Sequence, residues 1–397
     1  MGHDVTREEL LGIVQELAPV IREHADRGEQ QRHLADSVVE ALQNAGLYSM
    51  LVPRELGGLQ VDPLTFYQVI EALARIDGST GWCMFINGGC PISTAFVRDE
   101  AAEAIYGNGA RTIISGTVFP FGRAVLRQGG YLVSGQWVYG SGCWHSTWHL
   151  SFCNVYEEGA TEPCSGPTGA PEVVIVHLPR TQLRVLDTWD VSGLSATGSH
   201  DVEAKAVFVP ESFVWKLGPQ ALRGSHFDAP LYRFPFSGFF SWPMAAVALG
   251  IAQGALDEIT TVAMHKTPRL SAGTLRERPL FQTQLAQAVA FVHSARAWLH
   301  EVITKVWEKT QRGESASFEE RAEFLLAATN ATRNAAAAVE LVYSAGGGSA
   351  NYRRSPLQRQ MRDIHAVTQH IGTAPVQYET SGRMLLGLPS ETPAILL

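Results

Sequence analysis

What most constrains this chain is a double change of period. Apolar residues recur at helical spacing over 1–111, alternate in short runs over 112–222, and return to helical spacing over 223–397. Such a chain is expected to fold as two helical segments flanking a β-domain. In the first segment Thr6-Arg7-Glu8-Glu9 reads as a capping box, and Leu10, Val14, Leu17 and Ile21 follow on one helix face. A second helix over 33–45 stops at Gly46, and a third begins at Pro63. Asp77 then stands where it can cap a fourth helix carrying Trp82. Short strands are expected at 112–118, 130–138, 148–155, 173–178, 183–185 and 204–209, with 157–170 a surface excursion. Long amphipathic runs at 245–264, 280–309 and 318–343 predict an antiparallel bundle of four helices.

Bulk numbers exclude several partners. Net charge is −8, so no basic face is expected for nucleic acid. No apolar run nears the ~18 residues of a membrane span and no secretory start is visible, so no membrane role and a cytoplasmic location are expected. Five cysteines are scattered without a CxxC pair and read as small buried hydrophobes.

Four runs could carry chemistry. GQWVYGSGCWHSTW at 135–148 is dense in aromatic and hydroxyl groups, which suits a planar heterocycle; ordinary strand packing also accounts for it. SGTVFPFG at 115–122 reads as a strand end and turn, and WDVSGLSATGS at 189–199 closes downstream on Phe208-Val209-Pro210. The fourth, at 343–373, holds Gly346, Gly347 and Gly348, then Arg353, Arg354 and Arg359, then a helical stripe of Ile364, Val367 and Ile371 bordered by His370. The glycine cluster follows a helix, so it is no dinucleotide fingerprint. His145 and His149 share a strand side but have no third ligand nearby, and no metal is expected.

These runs, in this order and over almost the whole chain, resemble the acyl-CoA dehydrogenase superfamily. The W-x-x-x-S-G form at 137–142 and the W-x-x-x-G-L-x-x-T-G-S run resemble its branch of two-component (group D) flavin-dependent monooxygenases. The resemblance implies an α+β architecture: an amino-terminal helical domain, a central β-domain and a carboxy-terminal four-helix bundle, assembled as a homotetramer. It implies an oxygenase component that receives reduced flavin (FADH2 or FMNH2) from a separate NAD(P)H:flavin reductase. With O2 this would form a flavin C4a-hydroperoxide and hydroxylate an aromatic, phenol- or indole-like small molecule. Ser141 would bond flavin N5, and His370 would be the base acting on the substrate. Thr117, Trp137, Gly142, Gly346, Gly347 and Thr373 would contact the cofactor, with Trp82, Phe240 and Ile371 around the substrate. Arg353, Arg354 and Arg359 would meet a flavin phosphate or only water.

One departure weighs on the chemistry. The superfamily's dehydrogenases carry a catalytic glutamate where this chain has Ile371, and the second position some members use falls near Phe240. Neither side chain can take a proton from a thioester's α-carbon. Dehydrogenation or flavin oxidase chemistry, oxygenation of an amine or amino sugar, and a catalytically silent scaffold stand as alternatives.

Overall fold

The amino-terminal capping box forms as written: Thr6 Oγ1 accepts from Glu9 N, and the Glu9 carboxylate accepts from Thr6 N. It opens α1 (Arg7–Gln31), followed by α2 (Asp36–Asn44), α3 (Pro63–Ile76), α4 (Gly78–Gly89) and α5 (Asp99–Tyr106). The computed structural model describes residues 5–388 apart from 108, 167–168, 218–222, 241 and 270. Asp62 and Asp77 cap α3 and α4 by accepting from Thr65 N and Thr80 N. No described helix is long and apolar enough to cross a membrane.

Among the described residues, seven strands make one sheet in the order β5-β6-β2-β1-β3-β4-β7. They are β1 (Ile114–Arg127), β2 (Gly130–Gly140), β3 (Trp148–Tyr156), β4 (Val173–Pro179), β5 (Arg184–Leu186), β6 (His200–Pro210) and β7 (Val214–Lys216). β1 and β3 pair in parallel, and their register breaks between Thr117 and Gly122. β7 has no counterpart in the sequence reading; three residues carry too little alternation to be seen. The excursion at 157–170 is tied back at both ends, by Cys164 N donating to Val155 O and Glu172 N to Cys164 O.

The carboxy-terminal helices are α6 (Pro243–His265), α7 (Pro279–Gln311), α8 (Phe318–Gly346), α9 (Pro356–Val367) and α10 (Val376–Leu385). α8 is the common partner of the other four. The helical stripe expected to continue to Ile371 ends earlier. α9 stops at Val367, and a 3₁₀ turn over Ile371–Thr373 follows. Ile371 therefore leaves the apolar stripe and is 54% exposed.

Two cores hold these segments. One is continuous through the amino-terminal helices and the carboxy-terminal bundle, because α3 and α4 pack directly on α6. A Cβ at Gly250 or Gly254 on α6 would overlap the backbone of Glu71 or Arg75 on α3. The other core lies within the sheet, around Tyr131, Val133, Trp137, Cys153 and Val176. Cys83, Cys90, Cys143 and Cys153 are buried free thiols, and burial pushes all four thiol pKa values up.

Candidate active site

Three segments distant in sequence meet around Trp82. Asp77 starts α4, and the closeness of Ala74 leaves no space for a Cβ at Gly81, which sets Trp82 where α3 and α4 touch. The Trp82 Nε1–H donates to Ser141 Oγ at 3.1 Å. Its ring meets the His370 ring edge-on, centroids 5.7 Å apart. Phe85 packs edge-on against it, 5.3 Å between centroids.

Ser141 sits on a turn built from unusual backbone. Tyr139 has φ 63° and Gly142 φ 67°. A Cβ at Gly142 would overlap the Asn87 side-chain amide, so both φ and space require glycine there. Tyrosine has no such freedom, and its positive φ turns the ring out of the sheet, leaving it 68% exposed beside Trp189. Behind Ser141 lie two further hydroxyls. Ser199 Oγ is 2.7 Å from Ser141 Oγ, and Thr197 Oγ1 is 2.7 Å from Ser199 Oγ. Thr197 Oγ1 in turn donates to Leu194 O at 2.7 Å.

That chain is anchored in the third segment. Leu194 has φ 53°, and its N–H donates to Asp363 Oδ1 on α9 at 2.6 Å. Gly193 lies so close to the Arg362 carbonyl that no Cβ fits. Burial, with the Asp77 carboxylate nearby, pushes the Asp363 pKa up to about 7.

His370 closes the site. Its Nδ1 accepts from Gly372 N at 3.1 Å, so in the neutral ring the proton is on Nε2. Removal from water pushes its pKa down to about 4. The ring is therefore neutral at ordinary pH. In this geometry it offers an N–H donor rather than the lone pair a base needs, which departs from the expectation of a base.

Thr117 is held by a second, buried histidine. His149 Nε2 lies 3.0 Å from Thr117 Oγ1 and its Nδ1 2.6 Å from Ser115 Oγ. Burial pushes His149 down to about 3, so it is neutral and one ring nitrogen donates while the other accepts. His145, on the same strand side in the sequence, pairs with Asp36.

Not every expected residue contacts this cluster. Trp137 is fully buried in the sheet core, with its indole N–H donating to Phe152 O, so its ring does not face the Ser141 turn. Residues 131, 133 and 137 share the buried side of the strand, which is the alternation that carries Trp137 inward. Gly346 and Gly347 end α8, where Lys266 Nζ bonds the Gly346 carbonyl; no described contact joins them to Trp82, Ser141 or His370. Thr373 is fully buried beside His370, its hydroxyl without a partner. Phe240 packs on Phe236, centroids 4.6 Å apart, in the aromatic run that reaches Phe96 and Trp215. His365 points to Glu340 on the helix surface.

Of the arginines, Arg359 is committed to Asp26 and Glu29. With Arg22, Arg75, Arg353 and Arg354 it lines a cleft of about 470 Å³ between α1, α3, α6 and the start of α9. The cleft shares no residue with the Trp82–Ser141–His370 cluster. Tyr139, Thr197, Ser199 and Asp363 are the members of the site that sequence reading missed. Thr197 and Ser199 stand in the T-G-S run of the resemblance, which assigns them no role.

Comparison with known proteins agrees with this geometry. The acyl-CoA dehydrogenase N-terminal domain model matches residues 6–103, and the acyl-CoA dehydrogenase C-terminal domain model matches 243–375. The indole-3-acetate monooxygenase of Pseudomonas putida is 33% identical, over 92% of this chain and 91% of that protein. The flavin-dependent monooxygenase oxygenase subunit HsaA of Mycobacterium tuberculosis is 30% identical over 96% of each. The crystal structure of 3-HSA hydroxylase from Rhodococcus sp. RHA1 superposes with a TM-score of 0.89 at 28% identity, covering 99% of both chains. The chain belongs to the acyl-CoA dehydrogenase superfamily and, within it, to the reduced-flavin-dependent monooxygenases.

Proposed function

We propose that this monooxygenase is the oxygenase component of a two-component system, taking reduced flavin from a separate NAD(P)H:flavin reductase and hydroxylating a phenol- or indole-like small molecule. The observation that carries the reading is the meeting of Ser141, Trp82 and His370 from three segments. The named activities of the relatives, an indole-3-acetate monooxygenase among them, support the aromatic substrate class.

The residues present fit a flavin. Tyr139 offers an exposed ring on the turn that carries Ser141, and Thr373 has a buried hydroxyl without a partner. Thr117, Ser141, Tyr139, Gly142 and Thr373 would hold the cofactor, with the Gly346–Gly347 turn serving a neighbouring subunit. When bound, reduced flavin supplies the two electrons with which O2 delivers one atom to the substrate and leaves the other as water.

The protein's part is binding, orientation and exclusion of water. Trp82 gives a flat, buried wall whose single polar atom is spent on Ser141. His370 Nε2–H is placed to donate to an acceptor on the substrate, which fixes the orientation of the ring carbon to be attacked. Phe240 and Ile371 border the substrate's side. Ile371 and Phe240 supply no carboxylate, and among the described residues no carboxylate bonds to Trp82, Ser141 or His370. The exposed apolar residues around the last helices support a homotetramer.

Turnover under ¹⁸O2 with a flavin reductase, against a panel of phenols and indoles, tests the reading. One ¹⁸O atom per product is expected. Absence of labelled product across the panel, with flavin bleached instead by an acyl-CoA thioester, would overturn it.

A further inference from the structure

The protons in the Ser141 network can be counted. Leu194 O is a carbonyl and brings no proton, so the 2.7 Å contact with Thr197 Oγ1 uses the threonine proton. Thr197 has no second proton to give, so the 2.7 Å contact with Ser199 Oγ uses that of Ser199. Ser199 then has none left, and Ser141 must donate across its own 2.7 Å contact. Trp82 Nε1 is a donor only, and Ser141 accepts from it. The bonds therefore all run one way, from Trp82 to Ser141, Ser199, Thr197 and Leu194 O. All four side chains are buried, which leaves no bulk water to reverse the order. Leu194, at the end of the chain, is fixed by Asp363. What Ser141 can still offer the site is one lone pair.

We propose that Thr197 and Ser199 are positioning residues that make Ser141 an acceptor-only contact, and that the site thereby selects reduced over oxidised flavin. Reduced isoalloxazine carries a hydrogen on N5 and can donate to a lone pair. The oxidised ring has a bare lone pair at N5, and against Ser141 two acceptors would face each other in a buried site. A free serine would serve both forms by rotating its hydroxyl; this one is prevented by its neighbours. Preference for reduced flavin suits an oxygenase component, because the oxidised product is then released back to the reductase. The inference rests on the reading that Ser141 faces flavin N5.

Anaerobic titration calorimetry of the full chain with reduced and with oxidised FMN and FAD gives the Kd ratio directly, without turnover. Wild type is expected to bind the reduced form more tightly. Ser199→Ala returns the Ser141 proton to the site, so oxidised flavin should bind on the order of fivefold to tenfold more tightly while reduced flavin changes little. Thr197→Val keeps shape and the Thr197 carbonyl that Gly142 N uses, and should narrow the ratio the same way. It carries the test if Ser199→Ala does not fold, as judged by circular dichroism. Unchanged ratios in folded Ser199→Ala or Thr197→Val, with Ser141→Ala still shifting the ratio, would overturn the one-way chain. An unchanged ratio in Ser141→Ala as well would remove Ser141 from N5, and the underlying reading would fail with it.

Discussion

His370 shows how much one hydrogen bond decides. Because Nδ1 accepts from Gly372 N, the ring presents a donor, and its pKa near 4 keeps it neutral across the ordinary working range. Hydroxylation should therefore show no break around pH ~6.5, where a free imidazole titrates, and should fall only toward about 4. His370→Gln, which keeps an N–H at that reach, should retain more rate than His370→Leu, where a loss of ~10²-fold or more is expected in product formation. Equal losses would return the base role. The two aromatic residues of the W-V-Y triplet should part company in the same way. Tyr139→Ala should weaken flavin binding with little change in melting temperature. Trp137→Ala should cost about 3 kcal/mol or more of stability by leaving a core cavity. Calorimetry and thermal melts separate the two. Trp137 was the expected contact because the W-x-x-x-S-G form at 137–142 resembles the family's flavin-facing tryptophan. The positive φ that swings Tyr139 outward is a property of the turn, and no local residue pattern announces it.

At the level of elements, the site is a product of how α4, α9 and the 189–199 loop are locked together. Asp363 reaches from α9 to Leu194 N, and its other oxygen lies against the first turn of α4, close to where a Cβ on Gly78 would stand. Asp363→Ala should leave Leu194 N–H without a partner and cost ~1–3 kcal/mol. Amide exchange should speed up locally over 194–199, whereas Asp363→Asn, which keeps an acceptor, should stay protected. Uniform acceleration across the chain in both variants would deny Asp363 this specific role. The pH dependence has a definite sign. A carboxyl pushed up to about 7 binds more protons folded than unfolded, so its contribution to stability is present at low pH and declines as pH rises from the ordinary carboxylate range toward about 7. Between those limits the melting temperature of wild type should fall relative to Asp363→Asn. Helix positions here were legible, since caps at Thr6 and Asp77 are local signals. The joints were not: Asp363 to Leu194 spans |i−j| = 169 and Ser141 to Trp82 spans 59, and single-sequence periodicity carries nothing about such pairs. The same holds for His149, whose neighbours Ser115 and Thr117 lie |i−j| = 34 and 32 away in the chain.

For the molecule as a whole, the core shared by the helical segments runs on to Ile114, Leu150, Phe152 and Ile175 of the sheet and includes Trp82, while the sheet holds a second core around Trp137. The order of helices, strands and helices was readable because each period persists over many residues. The exposed surface tells of a further scale: Leu386 is 79% exposed, with Ile371, Val376 and Leu385 also exposed on the same carboxy-terminal stretch. Light scattering should give a tetramer, and Leu386→Glu should shift it toward smaller species; a monomer in wild type would contradict the assembly. The central claim, that Ser141, Trp82 and His370 form a reduced-flavin oxygenation site, is tested most directly by rapid mixing. Protein with reduced flavin is mixed with oxygenated buffer, and the return of the oxidised-flavin spectrum is followed in wild type and Ser141→Ala. The account predicts a return much slower than for free reduced flavin, and faster in Ser141→Ala than in wild type. A return as fast as in free solution, unaffected by the substitution, would contradict it.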